Sequence, residues 1–118
     1  MMRPTNLEEL LQEREFIPQA ILLRPISDFA RRLDIQATEG DDDLDYYQGV
    51  GLLLEGTIPV AIICYRGHPP NTSTVYLPFE MRDPKLISAI IGMITNAFDI
   101  PAEAVSWQRS SSGEHLAS

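Results

Sequence analysis

Residues 44–109 constrain this chain most, because they read as strand, strand, strand, helix, strand with turn chemistry at nearly every joint. Tyr46–Leu54 and 58–66 are apolar runs separated by Glu55, Gly56 and Thr57, a spacing suited to a short glycine-containing hairpin. The second run places Ile58, Val60, Ile62 and Cys64 on one face and Ala61, Ile63 and Tyr65 on the other. A strand apolar on both faces belongs in the middle of a sheet with cover on each side. Val75, Leu77 and Phe79 alternate with Thr74, Tyr76 and Pro78, which suits a third strand with one wetter face, and Pro78 favours an edge or a strand end.

Asp83 followed by Pro84 is the clearest helix start in the chain, an acidic N-cap before proline at the first helical position. Leu86, Ile87, Ile90, Ile91, Ile94 and Phe98 then mark one wide apolar face, and Pro101 stops the helix. Val105 and Trp107 alternate with Ser106 and Gln108 as a fourth strand, which right-handed crossover geometry places parallel to the third.

The N-terminal third reads differently. Thr5 or Asn6 can cap a helix, with Glu8 and Glu9 at capping-box spacing and Leu7, Leu10 and Leu11 as its apolar stripe. The helix should end near Glu15, since Pro18 disfavours helix at Ile17, and the run 19–24 is too short to classify by period. Ile26, Phe29, Ala30 and Leu33 have the spacing of a second short helix. Residues 36–45, with Gly40 and four aspartates, have no apolar period and read as a solvated loop. The expectation is an α+β fold: a mainly antiparallel sheet of about four strands in a β-β-β-α-β core, one long helix packed on a face, and short helices across 5–35. It forms a single domain over 1–109, with the polar segment 110–118 as a disordered tail.

Seventeen acidic against nine basic residues give a formal charge of −8, and the only adjacent basic pair is Arg31 and Arg32. Such a chain lacks the basic face that nucleic acid requires. The segment 26–35 has the form of the first half of a helix-turn-helix, but aspartates follow where a base-reading helix should begin. Cys64 is the only cysteine and lies in an apolar strand, which points to a reducing compartment. Acidic residues at the N-terminus do not make a secretion signal, and Glu55, Gly56 and Pro59 interrupt the longest apolar stretch, so the expectation is a cytoplasmic protein with no membrane partner.

Asp41, Asp43 and Asp45 alternate as oxygen ligands do in a calcium loop, yet Tyr46 stands where such a loop needs glycine and Leu52 where it needs glutamate. No metal or other cofactor is therefore expected. The richest polar cluster is the 66–72 loop, where Arg66, His68, Asn71 and Thr72 follow a buried strand and are the ligand-binding candidates. Gly67, Pro69, Pro70 and Asn71 are equally what a wide turn needs for backbone reasons. Cys64 and His68 lie roughly 13 Å apart along an extended strand, too far for a dyad, and His115 falls in the tail. Ser88, Gly92 and Thr95 or Asn96 form a small-residue strip on the long helix, and Gly49 with Gly51 another on the first strand; close packing within the monomer is the first explanation for both and a subunit interface, at the sheet or at the Gly92 face, the second.

No catalytic residue set emerges, so the pattern points away from an enzyme and towards a protein-binding or regulatory domain that pairs with itself and with another protein. Two alternatives are a small-molecule domain or small enzyme built on the 66–72 loop, and an acidic inhibitor or antitoxin-like protein that masks a basic partner with residues 41–45.

Overall fold

A computed structural model describes residues 2–41 and 45–109, which form seven strands and three helices. The order along the chain is β1 (Met2–Thr5), α1 (Leu7–Glu13), β2 (Phe16–Leu22), α2 (Ile26–Leu33), β3 (Thr38–Asp41), β4 (Tyr46–Leu54), β5 (Ile58–Tyr65), β6 (Ser73–Pro78), α3 (Pro84–Ala97) and β7 (Val105–Gln108). The strands make one antiparallel sheet in the order β1-β4-β5-β6-β2-β7, with β3 also paired to β4. β3 pairs with Tyr46 to Gly49 and β1 with Gly51 to Leu54, so the two short strands share one edge of β4 end to end.

This corrects the expectation of four strands and one dominant helix, although the α+β class holds. Three strands come from the N-terminal region, where the sequence suggests short helices, an unclassified run at 19–24 and a loop at 36–45. β2 lies between β6 and β7, the position assigned from sequence to the fourth strand as neighbour of the third. Two antiparallel pairings intervene, so β7 runs in the same direction as β6 without touching it along the ladder. Pro18 fits within β2 because the register slips between Pro18 and Ala20, a bulge that leaves Gln19 outside the regular pairing. Pro78 closes β6 at its end.

The helices follow their end signals. Asn6 caps α1, its Oδ1 accepting the Glu9 N–H at 2.9 Å. Asp83 caps α3 through Lys85 N–H at 3.0 Å, and Pro84 occupies the first turn. α2 starts at Pro25 with no side-chain cap and ends on Asp34 in the left-handed region, at φ 58°.

One face of the sheet is sealed by α2 and α3. Val50, Leu52, Val60, Ile62, Val75 and Leu77 meet Phe29, Ile90, Ile91 and Ile94 there, nearly all fully buried. Phe29 and Phe98 pack edge to face at 4.7 Å and join the two helices. Leu86 and Trp107 do not share this core: Leu86 is 43% exposed, and Trp107 pairs with Ile21 across β7 and β2 on the opposite face from Leu22 and Val105. Phe79 likewise lies beyond the end of β6, 43% exposed under the Arg82 guanidinium.

Among the described residues, the opposite face is covered by α1 alone. Gly49 and Gly51 permit it: a Cβ on Gly51 would stand 3.0 Å from Leu7 Cα, and one on Gly49 would stand 2.8 Å from a Leu7 methyl and from the Ile62 carbonyl. Leu7, Tyr47, Ala61 and Ile63 form a second, smaller core there. The Gly92 strip has a different character, since Gly92 is exposed and a Cβ on it would meet nothing within 4 Å. No described helix is long and apolar enough to cross a membrane.

Candidate functional site

The hairpin register places the candidate residues. β4 and β5 pair Gln48 with Cys64 and Tyr47 with Tyr65, so the end of β5 lies beside the start of β4, and the 66–72 loop leaves from that corner. α2 begins nearby, because Ser73 at the start of β6 donates its hydroxyl to the Arg24 carbonyl at 2.7 Å. Between these elements lies an open depression of about 540 Å³, walled by Pro25 and Ile26, Tyr46 and Gln48, Cys64 and Tyr65, and by Arg66, His68, Asn71 and Thr72 with Pro70. All four ligand-binding candidates therefore face one concavity. Its size falls within the ordinary range for small-molecule sites.

The loop is held by its own hydrogen bonds. Asp45 accepts the Tyr46 N–H at 2.7 Å through one carboxylate oxygen and the Gly67 N–H at 2.8 Å through the other. Arg66 N–H donates to the Tyr46 carbonyl and His68 N–H to the Tyr65 carbonyl. Thr72 donates its hydroxyl to the Pro69 carbonyl at 2.7 Å. Asn71 sits at φ 65°, a left-handed conformation that asparagine tolerates better than most residues.

The side chains at the rim have distinct environments. The Arg66 guanidinium stacks 5.0 Å from the centre of the Tyr46 ring. His68 meets the edge of Tyr65 at 5.8 Å, and both residues also wall a second depression of about 440 Å³ with Asp45, Gly67 and Tyr76. His68 thus stands on the ridge between two hollows. Hydrogen bonding to Glu39 is the main cause that raises the Tyr46 phenol above its usual 10.0, with desolvation and the Glu39 charge adding to it and Arg66 opposing. Gln48 also donates to Glu39, at 3.3 Å. Burial raises the Cys64 thiol above its usual 9.0, which keeps it protonated and weakly nucleophilic at neutral pH.

The metal candidates separate. Asp41 ends β3 and is exposed, Asp45 spends both oxygens on backbone N–H groups, and Asp43 lies outside the described residues, as does His115. No group of three or more metal-ligating side chains comes together among the described residues. The segment after α2 forms β3, so no recognition helix follows the half-motif at 26–35.

Sequence reasoning missed Tyr46, Gln48, Pro25 and Ile26 as walls of the depression. The first two were within reach, since fixing the β4–β5 hairpin register puts Gln48 opposite Cys64. The α2 residues had no local signal, because their place depends on where that helix docks. Comparisons with protein-family models, curated proteins and solved structures found no match.

Proposed function

We propose that this chain is a non-enzymatic protein-binding domain that pairs with a second copy of itself through the side of the sheet α1 leaves open. One observation carries the reading: among the described residues two helices bury one face, whereas the other has a single two-turn helix over β4 and β5. Beyond it, Phe16, Pro18, Ile21, Tyr65, Tyr76 and Trp107 stay only partly covered. Ile21 and Trp107 pack into neither core. None of these six side chains is charged, and the charged groups beside them, Arg109 over the Trp107 ring at 5.6 Å and Asp45 near Tyr65 and Tyr76, are of opposite sign at the two ends of the patch. Apolar sheet surface of this kind commonly marks an interface, and a twofold pair is the simplest closed way to cover it. The single, half-buried cysteine fits a reducing, cytoplasmic setting.

Light scattering at micromolar concentration and above should give twice the chain mass of 13.2 kDa, and Ile21→Lys should return it to one. A wild-type mass of one chain throughout that range ends the dimer reading. A second reading, a small-ligand site, is favoured by the convergence of Arg66, His68, Asn71 and Thr72 on one depression. A third, in which the acidic segment near Asp41 and Asp45 masks a basic partner, requires binding that weakens steeply with salt.

A further inference from the structure

We infer that the depression under the 66–72 loop binds a small monoanion, a carboxylate on a compact apolar body, with Arg66 holding the charged end. The inference deepens the small-ligand reading and is independent of the dimer, since a monomeric chain leaves it intact.

The charge distribution is the first argument. In a chain with 17 acidic and nine basic residues, the ionisable walls of this depression include, among the described residues, Arg66 and His68 and no carboxylate. Arg66 takes part in none of the ion pairs formed among the described residues, in contrast to Arg14, Arg31 and Arg32, which each meet a carboxylate within 3.2 Å. Its guanidinium is held instead over the Tyr46 ring, which restrains the side chain without using its hydrogen-bonding edge. A guanidinium fork of this kind suits a carboxylate in two-point contact.

The remaining walls supply orientation and a body pocket. Asn71 and Thr72 contribute an amide and a hydroxyl, and His68 a ring nitrogen at the ridge. Pro25, Ile26, Cys64 and Pro70 are apolar, so the ligand must carry more than a bare charge.

Glu39 sets the limit on charge. It hydrogen-bonds two of the lining residues, Tyr46 and Gln48, from the β3 side, and so places a carboxylate behind the wall. Against that background a single negative charge gains from Arg66, whereas a second one gains little and meets Glu39. A carboxylate is favoured over a phosphate dianion on this ground.

The test is titration of the full chain with benzoate and, separately, with inorganic phosphate, followed by amide NMR shifts. Benzoate should give saturable shifts at Ile26, Gly67 and Asn71 by about 10 mM. Arg66→Gln, at an exposed position, should keep the urea midpoint of the wild type and weaken binding about tenfold or more, as expected for losing a charge-assisted contact. Arg82→Gln, the same charge change at the far end of the sheet, should leave binding unaltered. Tighter binding of phosphate than benzoate, with the same dependence on Arg66, would keep the site and overturn the monoanion assignment. No saturable shifts with either probe, or shifts that Arg66→Gln leaves unchanged, would overturn the small-ligand reading as well.

Discussion

Truncation of Ile90 tests the arrangement of α3 on the sheet more sharply than any other single change. Ile90 is fully buried in the core with Val75, Leu77 and Ile62, while Leu86, one turn earlier, is 43% exposed. Ile90→Ala removes three buried carbons, worth about 0.8 kcal/mol each, or about 2.4 kcal/mol before any cavity remains. Alanine returns a few tenths of a kcal/mol through its higher helix propensity. Incomplete collapse of the site adds a cavity term, giving an expected loss of about 3 kcal/mol within the measured range of about 2–5 for such changes. Leu86→Ala removes as many carbons from a half-exposed position with no cavity to leave, so it should cost about 1 kcal/mol or less. Urea denaturation followed by circular dichroism, at one fixed protein concentration, reads both variants; with a slope of about 2 kcal/mol/M, Ile90→Ala should shift the midpoint by about 1.5 M. A loss below about 0.5 kcal/mol at Ile90, or one no larger than at Leu86, would falsify the proposed helix register.

The two glycine strips should respond in opposite directions. Gly51→Ala would drive a methyl to 3.0 Å from Leu7 Cα, a backbone neighbour that cannot move alone, and should cost about 1–3 kcal/mol as α1 lifts from the sheet. Gly92→Ala meets nothing within 4 Å on the exposed side of α3 and should stabilise by up to about 1 kcal/mol, so a destabilising result there would show the strip to be packed. For Cys64, burial raises the thiol above its usual 9.0, so its contribution to stability is complete below 9.0 and is lost as pH rises through the folded value. Alkylation near pH 9 should accordingly be slower in the folded chain than in the urea-unfolded one, and equal rates would refute the burial argument.

The parts of this fold that were legible from sequence are those in which local chemistry and tertiary position agree. β4, β5, β6, α3 and β7 each carry a clean period bounded by Gly56, Gly67, Pro84 or Pro101, and their bounds follow those signals closely. Asn6 and Asp83 cap the helices they were expected to cap. The misread elements lack such agreement. β1 and β3 are four residues each, with Pro4 in one and Glu39, Gly40 and Asp41 in the other, and they are strands because β4 offers them an edge. Their structure depends on the partner rather than on their own period.

β2 is the instructive case, because it supplies the junction between β6 and β7 and yet contains Pro18 and a bulge at Gln19. Proline in a run normally argues against an interior strand, since it removes a ladder donor. Here the register slip absorbs that defect: Pro18 and Gln19 turn their carbonyls to Arg109, which donates from its side chain to Pro18 and from its backbone to Gln19. The Gln19 side-chain oxygen is buried without a hydrogen-bond partner among the described residues, which places the local strain at the bulge itself. The candidate site inherits the same division. Arg66, His68, Asn71 and Thr72 were visible because a polar loop after a buried strand is a local signal, whereas the Pro25 and Ile26 wall exists only because β2 carries α2 across the sheet to meet that loop. The geometry of the candidate site is therefore assembled by the one strand whose sequence argues most strongly against being a strand.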